Sequence, residues 1–397
     1  MAPGGQTRIL IVDDSAVMRS LLRSVVCAGA GLEVAGTAAD GASALSSMSL
    51  LRPDLVLLDV EMPVMDGLAT LRELRRRGHK MPVIMCSSLT QRGAKVTLEA
   101  LAGGASDYVA KPAGQANREA AIRALGQDLI PKIHALTGQD RGPQGSSNPM
   151  PAHGFNQAQN RGSSQSVFPA APRAPLFLSL APPPRAQTVT AIPTVLAIGV
   201  STGGPAALDV LLPSLPGNFP LPVLIVQHMP ELFTRLFAER LDTRCKLRVR
   251  EGAEGDPVRA GTILIARGNW HMEVLAAAYG AAAPTVHLTQ GPLENHCRPA
   301  VDVLFRSVAA AYGSGVLAVV LTGMGSDGLA GGRIVRDQGG TVLAQDQASS
   351  TVWGMPGAVT QAGLAHKVLP LSDLAPEILR LVSRTHSEAR ELRESVV

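Results

Sequence analysis

The feature that most limits how this chain can fold is a break in its composition from Gly138 to Ile192. Proline, glutamine, serine, alanine, glycine and asparagine dominate there, charges are few, and runs such as Ala181-Pro-Pro-Pro184 occur. Such a stretch cannot bury enough apolar surface to offset the entropy of ordering it, so it is expected to be disordered, with extended proline-rich parts. Its one apolar island, Ala174 to Leu180, reads either as a sticky stretch of linker or as a segment that docks on a partner or a domain. A single core through all 397 residues is thereby excluded. The expected organisation is a domain over 1–137, a flexible linker over 138–192, a second domain over 193–385 and a tail over 386–397.

In the first segment, strand-like apolar runs alternate with helix-like ones. Arg8-Ile-Leu-Ile-Val12 ends in Asp13-Asp14, Asp54-Leu-Val-Leu-Leu58 in Asp59, Pro82-Val-Ile-Met85 leads to Ser87-Ser88, and Asp107-Tyr-Val-Ala110 to Lys111-Pro112; Leu32 to Gly36 is a weaker fifth run. Helices are expected to start near Ala16, Gly41, Gly67, Thr90 and Gln115. This βα alternation predicts a parallel sheet covered on both faces, whose strand ends gather the polar residues along one edge. Acids that close together call for a hard cation, and carboxylate and carbonyl oxygens suit Mg²⁺. Asp59 would then be a carboxylate nucleophile toward a phosphoryl group, with Lys111 and the Ser87 hydroxyl on the transferred oxygens. Singly, each residue has an ordinary explanation: Asp14-Ser15 as a helix cap, Lys111 as a solvated loop residue.

These residues, with Leu57-Leu-Asp-Val-Glu-Met-Pro-Val-Met-Asp-Gly67, resemble the response-regulator receiver domain over its whole length. The resemblance implies a flavodoxin-like fold and phosphorylation of Asp59 by a histidine kinase. It also implies Mg²⁺ held by Asp14, Asp59 and the Glu61 carbonyl, with Asp13 further out, and Tyr108 as the aromatic switch.

In the second segment, Leu196 to Val200 reads as a buried strand running into Gly199-Val-Ser-Thr-Gly203, a G-x-S-x-G turn that would present Ser201 Oγ. Leu221 to Val226 delivers Gln227-His228, and Gly315 to Thr322 ends in Gly323-Met-Gly-Ser-Asp-Gly328. Helices are expected from Pro205 to Leu212 and near Glu231, Pro299, Gly328 and Leu374, with shorter strands around Thr262 and Thr341. In a parallel, doubly wound sheet, Ser201, His228 and Asp327 would leave strands at one edge, as nucleophile, general base and orienting acid. Amides after Ser201, at Thr202, or in Gly323-Met324-Gly325 could receive an oxyanion. A dinucleotide turn is disfavoured, because the glycines do not fit G-x-G-x-x-G and no acid follows the next strand; no Walker lysine follows them either. Taken singly, His228 could be a satisfied core or loop histidine and Asp327 a helix cap. The order Ser, His, Asp departs from that of α/β-hydrolases.

Gly199 to Pro205, Gln227-His-Met-Pro230, Arg298 to Phe305, Leu321 to Gly328 and Trp353-Gly-Met-Pro356 together resemble the catalytic domain of the chemotaxis protein-glutamate methylesterase family, CheB type. That resemblance implies the Ser201, His228, Asp327 triad, an oxyanion site involving Met324, and hydrolysis of glutamyl γ-methyl esters on chemoreceptors, with deamidation of glutamines. The receiver would supply phosphorylation-dependent control, with a chemotaxis histidine kinase as donor and no cofactor in the esterase domain. Val200, before the nucleophile, and Cys297, before Arg298, depart from the usual pattern. Arg298 is read either as a substrate-positioning residue or as half of a structural ion pair, and Asp302 as a helix-dipole acid. A rival reading is a non-catalytic, phosphorylation-dependent receptor-binding module.

A net charge of +4 without a block of like charges, and 3% aromatics, give no case for nucleic acid. No apolar run reaches the length of a membrane span, and Cys27, Cys86, Cys245 and Cys297 are dispersed, so a reducing, cytoplasmic setting is expected.

Overall fold

The computed structural model describes residues 6–112, 117–138, 192–277 and 283–394, with side chains described to residue 383. All of them belong to one compact unit. The linker from 139 to 191, the island at 174–180 and the last residues of the tail, 395–397, lie outside the described residues.

The first sheet contains β1 (Thr7–Val12), β2 (Leu32–Ala38), β3 (Leu55–Asp59), β4 (Val83–Ser87) and β5 (Asp107–Ala110). They lie in the order β2-β1-β3-β4-β5, all parallel, which is the flavodoxin-like arrangement. Helices α1 (Ala16–Ala28), α2 (Gly41–Leu51), α3 (Gly67–Arg76), α4 (Gln91–Ala102) and α5 (Arg118–Thr137) connect or follow the strands. Ser15, Asp40, Asp66, Thr90 and Asn117 each cap the following helix by accepting a backbone N–H.

The second sheet is built on β6 (Val195–Val200), β7 (Val223–Gln227), β8 (Arg248–Glu251), β9 (Thr262–Ile265), β12 (Val316–Val320), β13 (Thr341–Gln345) and β14 (Lys367–Leu369). Its order is β14-β13-β12-β6-β7-β9-β8, again parallel. The strands β6, β7 and β12 are wholly buried, which is why they read as continuous apolar runs. The covering helices are α6 (Gly204–Leu211), α7 (Glu231–Asp242), α8 (Val301–Tyr312), α9 (Leu329–Asp337), α10 (Met355–Gln361) and α11 (Leu371–Glu394). An antiparallel ribbon, β10 (His271–Leu275) with β11 (Thr285–Thr289), packs its β10 strand on α8.

The chain leaves β6 toward β7 on one side and returns to β12 on the other. The strand order therefore reverses between β6 and β12, and a crevice opens above that point. In the first sheet the reversal lies between β1 and β3, the strands that end in Asp13 and Asp59. Helix α4 packs on α6 and α7, and one apolar cluster runs from Leu98, Leu101 and Tyr108 to Phe233 and Leu236. Among the described residues no helix is long and apolar enough to cross a membrane.

Candidate active site and phosphoryl site

At the edge of the first sheet, Lys111 Nζ lies 2.8 Å from Asp13 Oδ2 and 2.7 Å from Asp59 Oδ2. Val60 N donates to Asp59 Oδ1 at 2.7 Å. Burial pushes the Asp59 carboxyl up, and Lys111 only partly counters it. One oxygen from each of Asp13, Asp14 and Asp59 falls within 4.8 Å of the others. An all-oxygen set of three carboxylates with Asp14 exposed to solvent fits a hard divalent cation. Glu61 lies in the β3–α3 loop, and its carboxylate faces Arg92 on α4, 3.5 Å away. Ser87, fully buried at the end of β4, donates to Ser88 O and accepts from Thr97 Oγ1 at 2.7 Å.

Above the second sheet, the turn after β6 carries Ser201. Its N–H donates to Thr322 O at 3.0 Å, and its carbonyl accepts from Gly204 N and Gln227 Nε2. Gly203 has φ +78°, and a Cβ there would meet Thr351 Oγ1 at 2.3 Å, so the sharp turn requires glycine. The buried Gln227 thus anchors the elbow from the next strand, a role that its position beside His228 did not reveal. Ser201 Oγ makes no hydrogen bond among the described residues, and the N–H groups of Thr202 and Met324 find no acceptor there.

His228 Nε2 lies 2.8 Å from Asp327 Oδ2, and His228 Nδ1 lies 3.5 Å from Cys297 Sγ. Burial alone would lower the imidazole pKa, but the hydrogen bonds to Asp327 and Cys297 outweigh it and raise it to about 9. Asp327 is 2% exposed. Its Oδ2 also accepts Val301 N at 2.7 Å, and its Oδ1 accepts Asp302 N at 2.9 Å and Gly328 N at 3.0 Å. Burial would raise its pKa, yet His228 and these amides bring it below the usual carboxylate range. The carboxylate does touch the start of α9, as a cap would, but it is His228 that it holds.

Ser201, Thr202, His228, Met324 and Asp327 line one cavity of about 1090 Å³, together with Cys297. The opposite wall comes from the first sheet's domain, through Tyr108, Asp128 and Lys132. Asp107 Oδ2 accepts the Thr202 hydroxyl at 2.6 Å, and the Tyr108 ring stacks on Phe233 with centroids 4.5 Å apart. Arg240 on α7 donates to Leu98 O at 3.1 Å.

Two readings of individual residues change. Among the described residues Arg298 has no ion pair: its guanidinium donates to Gln290 O, Gly291 O and Asn269 Oδ1, so it clamps a loop. Asp302 sits in the first turn of α8 as expected, but it does more than face that helix: its Oδ1 accepts Gly328 N and Gly331 N and closes the start of α9.

Residues 196–378 match the family described as CheB methylesterase, and residues 9–123 match the response regulator receiver domain. A protein from a Nocardioides species named protein-glutamate methylesterase/protein-glutamine glutaminase is 48% identical, over 95% of this chain and 96% of its own. One of the same name from Trichodesmium erythraeum is 44% identical, over 94% of this chain and 99% of its own. The crystal structure of the Thermotoga maritima CheB methylesterase catalytic domain is 40% identical, covering 48% of this chain and 100% of that one, with a TM-score of 0.47.

Proposed function

Because the chain belongs to the CheB methylesterase family, with a response regulator receiver domain ahead of the catalytic one, we propose that it is a phosphorylation-activated hydrolase of receptor glutamyl γ-methyl esters. The observation that carries this reading is the 2.8 Å His228–Asp327 pair beside Ser201, at the reversal point of the sheet. Deamidation of receptor glutamines is the same chemistry with ammonia as the leaving group.

In the reaction, Ser201 Oγ attacks the ester carbonyl while His228 Nδ1 takes its proton. Nδ1 is the base because Nε2 is held by Asp327 at 2.8 Å, whereas among the described residues Nδ1 has only the longer contact to Cys297 Sγ at 3.5 Å, which it would give up for Ser201 Oγ. The Thr202 and Met324 N–H groups would receive the oxyanion. Collapse breaks the C–O bond, and the imidazolium returns the proton to the departing methoxide, giving methanol. Water, deprotonated by His228, then attacks the acyl-serine; the Oγ–acyl bond breaks, the imidazolium returns the proton to Ser201 Oγ, and the glutamate is freed.

The receiver would restrain this site through the Asp107–Thr202 hydrogen bond and the Tyr108–Phe233 stack. Asp59 would accept the phosphoryl group from a histidine kinase, and Asp14, Asp59 and the Glu61 carbonyl would hold Mg²⁺, with Asp13 further out; the ion would neutralise charge on the transferring group. Phosphorylation would then shift the population toward an open arrangement that serves sensory adaptation.

The test is methanol release from a methylated chemoreceptor, with and without a small phosphodonor and Mg²⁺. A rise of roughly tenfold or more is expected, and Asp59→Asn should keep the basal rate and lose the rise. Equal rates in the wild type would overturn the control, and no release at all would favour the binding-module reading.

A pH dependence follows from the His228 pKa of about 9. An imidazole acts as a base only when neutral, and below its pKa the neutral fraction grows about tenfold per pH unit. The chain without phosphodonor should therefore speed up between pH 7 and pH 8 by about that factor and level off near 9, as read from initial rates of methanol release.

A further inference from the structure

Behind the His228–Asp327 pair lies a second buried carboxylate that the proposed chemistry does not use. Asp302, in the first turn of α8, is 3% exposed. Its Oδ2 lies 2.9 Å from Asn295 Nδ2, and the same nitrogen lies 2.9 Å from Asp327 Oδ1. An amide nitrogen carries two hydrogens, and here each is directed at a different carboxylate. Burial and the neighbouring Asp327 charge push the Asp302 carboxyl up, whereas Gly331 N and the Asn295 amide pull it down.

The charged and titratable groups around Asp327 come from three places. His228 follows β7, Glu294 and Cys297 lie in the loop before α8, and Asp302 and Arg306 are on α8. Arg306 is engaged in a two-bonded pair with Glu294 at 2.6 Å. Among the described residues, Asn295 is thus the side chain that donates to both aspartates.

The loop is shaped for this. Glu294 and Cys297 exchange backbone hydrogen bonds of 3.1 and 2.8 Å, while Asn295 and His296 adopt left-handed φ of 51° and 62°. Asparagine tolerates that region better than most residues. The tight turn places Cys297 at one end of the His228–Asp327 pair and Asn295 at the other.

We propose that Asn295 is a positioning residue of the esterase, its amide bridging Asp302 and Asp327 and so holding Asp327 ionised and correctly turned toward His228. This rests on the reading of Ser201, His228 and Asp327 as the reacting set. Without that side chain the Gly328 N–H still reaches both carboxylates, but Asp302 Oδ2 loses its donor and Asp327 Oδ1 one of its three, so the pair shares a proton at higher pH, which weakens the orienting acid.

Two variants test it, both compatible with a left-handed backbone. Asn295→Gly removes the amide and is expected to lower kcat roughly 10- to 100-fold with KM little changed, as for an unmet buried acceptor. Asn295→Asp keeps the shape but can donate only when its carboxyl is protonated. Its kcat relative to wild type at the same pH should therefore rise as pH falls from about 9 to about 6. Wild-type kcat in both variants would overturn the proposal, as would a relative kcat of Asn295→Asp that is flat with pH. Melting temperatures and phosphodonor response of the full chain check the fold. Ser201→Ala, assayed alongside, separates the cases: if it retained activity, the triad reading would fail rather than the role of Asn295.

Discussion

Ser201→Ala is expected to lower methanol release from a methylated receptor by at least about 10⁴-fold, and Asp327→Asn to come close to it. The serine variant lacks the atom that forms the acyl bond, while its backbone bonds to Thr322, Gly204 and Gln227 remain, so the fold should be unaffected. The aspartate variant fails for a different reason. Asp327 takes in N–H groups from Val301, Asp302, Gly328 and Asn295 as well as His228, a set that only an anion with two accepting oxygens satisfies. An asparagine NH₂ turned toward His228 Nε2 would force the proton onto Nδ1, the nitrogen that has to take it from Ser201. The check is steady-state release by each variant at equal concentration, with acyl-enzyme formation followed by mass spectrometry. Residual rates within tenfold of wild type would exclude the assignment.

Tyr108→Ala should leave the chain active without a phosphodonor. The ring is 7% exposed, stacks on Phe233 at an interplanar angle of 14°, and lies beneath Lys132 Nζ at 5.3 Å. Removing it forfeits burial and stacking worth about 2–3 kcal/mol at the contact, which moves the closed-to-open ratio by roughly 30- to 150-fold. Basal methanol release should rise toward the stimulated rate, and the addition of phosphodonor should add little. A basal rate equal to wild type, in a variant that still accepts phosphate at Asp59, would exclude Tyr108 as part of the restraint.

Most of the architecture was legible because the decisive strands are buried on both sides and end in chemistry. Arg8 to Val12, Asp107 to Ala110 and Leu196 to Val200 were readable as apolar runs, and the polar residues after them mark one sheet edge. The strands that escaped notice are short and partly solvated: β14 has three residues, none of them buried, and β8 is exposed at its start. The β10–β11 ribbon lacks a long apolar run because polar residues, His271 and Glu273 in one strand and Thr285, His287 and Thr289 in the other, interrupt it. The role of Asp302 was not legible because a first-turn acid predicts interaction with its own helix, whereas its partners, Gly328 and Gly331, start another. Nor does any local pattern announce that Asp107 reaches Thr202, 95 residues away, since contacts between separately folded segments leave no periodicity behind.

The Asp107–Thr202 hydrogen bond ties the nucleophile turn to the receiver at a residue whose N–H would meet the oxyanion. In the proposed control, binding at one end and at the other are then thermodynamically reciprocal. A serine-directed boronate that favours the released turn should raise the receiver's affinity for beryllofluoride by the same factor that beryllofluoride raises affinity for the boronate. A receptor awaiting demethylation would thereby hold its own esterase in the phosphorylated state.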